Sequence, residues 1–187
     1  VTGMGTTAFF SLTSSWQDTK KISELTAMAN GAFRSMQNDF DSILSAKLSG
    51  VGLVGVRSAV EDPRYFDRSL ADDHIILPIT SEGAGGRDEQ QRVMYRVVRA
   101  DDGSQTLVRT TGELSAEAAG SAPSDTVDRA NVVRLRFEYA ADGRDGWQQA
   151  WNDGTLPRAV RVSMTLADKN RPDIQIARKT TFVIHVR

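Results

Sequence analysis

The chain has 187 residues, enough for one domain with a hydrophobic core, and 40% of them are hydrophobic and 25% charged, as in an ordinary globular protein. Lys and Arg number 23 against 24 Asp and Glu, a net charge of −1 that lacks the basic excess of a nucleic-acid binder and gives no attraction to anionic lipid. With no cysteine, disulfides, thiolate metal sites and cysteine nucleophiles are excluded, and no run of 18 or more apolar residues spans a bilayer.

The first element is a helix over residues 7 to about 46. Phe9, Leu12, Trp16, Ile22, Leu25, Met28, Ala29, Ala32, Phe33, Met36, Phe40, Ile43 and Leu44 recur at steps of three and four, which reads as one apolar helical face. Gln17, Asp18, Lys20, Lys21, Glu24, Asn30, Arg34, Asn38 and Asp41 fall on the other, and Gly31 is the one helix-weakening residue in the run. About 40 residues at 1.5 Å each make a helix near 60 Å, longer than a small head can cover. The expected division has Ile22 to Leu44 clamped on a sheet and Phe9 to Trp16 reaching toward partners.

After Gly50, Gly52 and Gly55 the chain reads as β-rich. Val51–Arg57 is a weak, glycine-rich strand and His74–Thr80 a stronger one. In Arg92–Arg99, Val93, Tyr95 and Val97 alternate with Arg92, Met94 and Arg96; Asp101–Ser104 is a turn, and Thr106–Thr111 returns as a hairpin. Residues 112–131 are small and polar and read as a loop. Val133, Leu135, Phe137 and Tyr139 then mark the inner face of a strand, as do Val160, Val162, Met164 and Leu166. Ala167–Pro172 is a turn, and Phe182, Ile184 and Val186 end the chain on an alternating strand. Six or seven strands with no helix between them imply an antiparallel sheet. The fold class is therefore α+β, a long N-terminal helix on an antiparallel head spanning about residues 51–187, in one domain.

No catalytic constellation is present. His185 falls on the outward face of the last strand. His74 follows Asp72 and Asp73 but has no accompanying nucleophile motif. Gly83–Gly86 and Gly50–Gly55 lack the Lys-Ser/Thr of a phosphate loop, and two distant histidines without cysteine cannot make a zinc signature. Acidic residues gather at Asp62, Asp67, Asp72 and Asp73, and again at Asp142, Asp145 and Asp153. Such loops are a lesser candidate for structural Ca²⁺, although Arg64, Arg68 and Arg144 compete for them. No catalytic residue, no cofactor and no metal ligand is assigned, and a helix in search of neighbours beside a head without a site points to assembly rather than catalysis.

Val132-Val133-Arg134-Leu135-Arg136-Phe137-Glu138-Tyr139 is followed by Gly146-Trp147, Trp151 and Leu156-Pro157-Arg158-Ala159-Val160-Arg161-Val162, then by a strand through Ala177-Arg178-Lys179-Thr180. This order resembles the J-type minor pseudopilin of the bacterial type II secretion system. Upstream, Val93-Met94-Tyr95 with Leu107-Val108-Arg109 is similar to the family's hairpin, and Met36-Gln37-Asn38-Asp39-Phe40 to its helix end. The segment Pro63 to Gly86 has no match, and the family's prepilin cleavage site and apolar leader are not in this sequence, which begins at Val1. Read by residue type alone, Trp147 and Trp151 are core or rim aromatics, and Arg134, Arg136, Arg158 and Arg161 an outer sheet face, solvated or matched to an acidic partner.

The resemblance implies a pilin-like, non-enzymatic protein whose missing N-terminal helix is processed as a prepilin, methylated and anchored in the inner membrane of a Gram-negative bacterium, with its head in the periplasm. It implies a place beside the I-type and K-type minor pseudopilins at the pseudopilus tip. Phe9, Leu12 and Trp16 are the candidate partner-contact face. A minor pilin of a type IV pilus is the near alternative, separable by gene neighbours. An exported ligand-binding or enzymatic domain built on the acidic loops is the distant one.

Overall fold

A computed structural model describes residues 3–44, 52–57, 73–82, 88–113, 125–127, 131–141 and 146–185, with side chains from residue 16 onward except at 82, 88, 113 and 125–127. Among the described residues, one helix, α1 (Gly3–Asp41), precedes eight strands: β1 (Val54–Val56), β2 (His74–Glu82), β3 (Asp88–Arg99), β4 (Gln105–Glu113), β5 (Asp125–Val127), β6 (Asn131–Ala140), β7 (Ala159–Ala167) and β8 (Gln175–Val183). The expected single sheet is two. Strands β1 to β5 form one antiparallel sheet in sequence order and β6 to β8 another.

The helix is the shared core of both sheets. Leu25, Ala29, Ala32, Phe33, Met36 and Phe40 are buried with Ile75, Leu77, Val93 and Tyr95 from the first sheet and Leu135, Phe137, Val160, Val162 and Phe182 from the second. Phe40 stacks on Phe182 at 4.7 Å between ring centroids. Burying each large side chain contributes about 1.5–3 kcal/mol, so the stripe from Leu25 to Phe40 is what holds helix to head. Two sheets arise because each presents an alternating apolar face to one side of the same helix.

The helix stops at Asp41, short of residue 46. Ser42 Oγ donates to the Asn38 carbonyl, Ile43 makes a bridge with Ile79, and Leu44 N donates to the Pro78 carbonyl. Ile43 and Leu44 are thus extended chain laid against β2; their apolar character serves the sheet, not the helix. Strands β3 and β4 run longer than their apolar cores, and the expected loop 112–131 contains β5, whose backbone pairs Leu107 with Val127 and Arg109 with Asp125. Polar sequence hides such a strand because the pairing is made by the main chain.

In β6 the inward residue is Val132, not Val133. The register with β7 shifts between Val132 and Arg134, a bulge that puts Val132 in the core and leaves Val133 half-buried. The last strand begins at Gln175, before the apolar residues that signal it, and ends at Val183. Val186 and the loop glycines Gly83–Gly86 and Gly50 lie outside the described residues.

Candidate partner-binding surface

The N-terminal part of α1 leaves the head at a polar clamp. Lys21 Nζ meets Asp168 Oδ2 at 2.8 Å, Arg171 lies 3.6 Å from Asp18, and Arg171 also grips Asp173 at 2.9 Å. Asp168 also accepts from the backbone N–H groups of Asn170 and Arg171, so the β7–β8 turn is built around the carboxylate that holds the helix. The hydrogen bond from Lys21 holds the Asp168 carboxyl below its ordinary range, and that to Asp168 raises the Lys21 ammonium. Beside the clamp, Leu25, Met28 and Ala167 with Lys21, Glu24, Asp168 and Lys169 line a shallow cavity of about 180 Å³.

Trp16 does not share the stripe that packs on the head. It is 70% exposed, and the nine residues between it and Leu25 are about 2.5 turns, so the two point to opposite sides of the helix. The single apolar face expected from spacing is therefore two faces: one from Leu25 to Phe40 against the head, and another carrying Trp16 away from it. Ile22, expected in the clamp, is 46% exposed, because the β7–β8 turn meets this part of the helix through the polar Asp168 and Arg171. Phe9 and Leu12 lie in α1, but their side chains are outside the described ones.

At the other end of α1 a carboxylate is buried. Asp39 is only 6% exposed and takes two bonds from Arg109, Nε to Oδ2 at 2.9 Å and Nη2 to Oδ1 at 2.8 Å; Tyr95 Oη donates a short bond to the same Oδ2. Ile75, Tyr95 and Arg109 are register neighbours across β2, β3 and β4, which brings tyrosine and guanidinium under one turn of helix. Burial and the Asp39 charge push the Tyr95 hydroxyl well above its usual range, and the bonds to Asp39 raise the Arg109 guanidinium. Spacing along the chain does not join these three. An acid beside Phe40 on an apolar stripe is the signal that could have found the lock, and each member sits in one of the fragments that carried the family resemblance.

The acidic loops are only partly visible. Asp62, Asp67, Asp72, Asp142 and Asp145 lie outside the described residues, as do Arg64, Arg68 and Arg144. Asp73 is buried and accepts the Phe137 N–H, linking the two sheets, and Asp153 accepts from the Thr155 N–H and hydroxyl, which lower its carboxyl. Among the described residues no three His, Asp or Glu side chains gather as a metal site. His74 opens β2, its imidazole lowered by burial and then by the Arg96 charge; His185 is exposed, as its alternation requires.

Trp147 and Trp151 are in extended chain, not on a helical turn. Gln148 bridges Tyr139, and Trp151 bridges Gly55 while its indole donates to the Thr155 carbonyl. Trp151 closes the edge of β1, and Trp147 lies flat under Arg161, whose guanidinium is 3.6 Å from the ring centroid.

The model of the type II secretion system (T2SS) protein J family matches residues 7–177. The chain belongs to that family. Comparisons with curated proteins and with solved structures found no match. Membership makes this chain a minor pseudopilin, a structural component of the secretion machinery that works among other pseudopilins and has a membrane-associated, periplasmic setting. Among the described residues no helix is long and apolar enough to cross a membrane.

Proposed function

We propose that this protein is a tip-complex pseudopilin, joining the I-type and K-type minor pseudopilins through the outward face of α1 while its head, one pilin-like domain, stands in the periplasm. An anchoring helix upstream of the present sequence would hold it in the inner membrane, and the role needs no cofactor. The carrying observation is Trp16, a large aromatic 70% exposed on the side of α1 turned away from the head. Phe9 and Leu12 precede it by seven and four residues, the spacing of one helical stripe. An indole in that position stays in water unless a neighbour covers it, and aromatic anchors of this kind dominate interface energies.

The test mixes the chain with I-type and K-type heads of the same secretion system and follows co-elution. A complex at micromolar concentration, weakened by Trp16→Ala, supports the role. Wild-type protein that forms no complex with either head refutes it.

A further inference from the structure

We infer that the outward face of the β6–β8 sheet is a docking trough for an extended, acidic segment of a partner protein. This gives the chemistry of one partner contact and rests on the assembly reading above. Because Val160, Val162, Met164 and Leu166 point into the core, Arg161, Ser163 and Thr165 of β7 point out. In register beside them stand Arg134 opposite Thr165, Arg136 opposite Ser163, and Lys179 opposite Ser163 on the other flank.

Neighbouring strands lie about 4.8 Å apart, so the cations of β6 and β8 flank a floor of two hydroxyls at about 10 Å. Among the described residues, Arg134, Arg136, Arg161 and Lys179 share this face with Glu138, on a chain whose net charge is −1. The concentration of positive charge is therefore local.

Three details favour a carboxylate-bearing occupant over bare solvent. The bulge at Val133 sets Arg134 opposite Thr165, and its Nε is buried without a hydrogen-bond partner, so a small outward shift of the side chain toward an acceptor would satisfy it. Arg161 is held flat by Trp147, leaving its fork fixed in place. Glu138 is spread between Arg161 at 3.6 Å and Lys179 at 3.9 Å, long pairs that yield readily to a better-placed acid. Ser163, Thr165 and Ala177 are small enough for a backbone to come close.

The experiment is a titration of isotope-labelled chain with an octapeptide of alternating Glu and Thr, followed by backbone amide shifts, against the same peptide with Gln for Glu. Saturable shifts at Ser163, Thr165 and Trp147 with the Glu peptide alone, lost in Arg134→Gln/Lys179→Gln, are expected. Equal shifts with both peptides, or shifts scattered over the head, would overturn the proposal. So would binding to vesicles containing anionic lipid that the double variant abolishes while the peptide leaves the sheet unmoved.

With partner heads, the double variant should weaken association about tenfold and more so at low salt. The control Arg34→Glu, on the outward side of the helix, should leave the sheet shifts unchanged. A chain that binds the peptide but no pseudopilin head refutes the assembly reading and leaves the trough standing.

Discussion

Replacing Asp39 by Ala removes the acceptor of two guanidinium bonds and of the Tyr95 hydroxyl in one step. The Arg109 side chain is 15% exposed, so water replaces little of what is lost. Breaking a buried pair from one side costs about 3–5 kcal/mol, because the surviving charge is left desolvated. A domain of this size has about 5–15 kcal/mol in total, and each kcal/mol moves the midpoint by roughly 2–4 °C. The expected outcome for Asp39→Ala is a Tm lowered by about 6–20 °C. The assay is thermal and urea unfolding by far-ultraviolet circular dichroism, with the urea slope unchanged. Removing all three polar groups, as Asp39→Leu/Tyr95→Phe/Arg109→Met, should recover most of the loss, since an apolar replacement leaves no orphan. A loss below about 1 kcal/mol for Asp39→Ala, or a triple variant worse than the single, would refute the idea that pairing rather than packing matters at this site.

A Cβ on Gly55 would run into the hydroxyl and the ring of Tyr139, so Gly55→Ala should cost about 1–3 kcal/mol in urea unfolding, and Tyr139→Phe, which keeps the ring, should not relieve it. Phe182→Ala removes the ring stacked on Phe40 and should cost about 3–5 kcal/mol in the same assay. Gly31 is exposed and a Cβ there meets nothing within 4 Å, so Gly31→Ala should stabilise the head by about 0.5–1 kcal/mol. The Lys21–Asp168 clamp is pH-dependent: the lowered Asp168 contributes above its ordinary value of 3.8 and is lost as pH falls below it, while the raised Lys21 contributes below 10.5 and is lost above it. Amide exchange in helix residues 16–22, measured relative to 29–36, should therefore rise below pH 3.8, and Lys21→Met should abolish that rise.

Most of the elements were legible because their side chains alternate or recur. Val160 to Leu166 is buried residue for residue as its period of two requires, and the Leu25 to Phe40 stripe packs as its helical spacing requires. The failures have particular causes. Thirteen apolar positions read as one face, yet the step from Trp16 to Ile22 is six residues, which breaks the phase and leaves Trp16 and Leu25 opposed. Ile43 and Leu44 continued the apolar pattern although the backbone had already left the helix for β2. The Val133 bulge shifts a strand by one residue, which no alternation can announce. The Asp39 lock joins three residues far apart in sequence, and each looks unremarkable alone. Of Phe9, Leu12 and Trp16, only the Trp16 side chain is described, and it turns from the head, which the reading of one continuous apolar face had missed.

Lys21 and Asp39, each paired with the head, sit 18 residues apart on α1, about 27 Å along the axis, with the apolar stripe between them. A filament subunit hauled by its N-terminal end feels tension along this helix, and the fold meets that load in series. The Lys21–Asp168 pair, half open to water, is the weaker of the two and would yield first. Past it, the helix can slide only by shearing Phe33, Met36 and Phe40 across two sheets at once, and Asp39 bonded to Arg109 and Tyr95 acts as the end-stop. The helix is thus held by ion pairs at its outer end and by a buried, hydrogen-bonded carboxylate at its inner end.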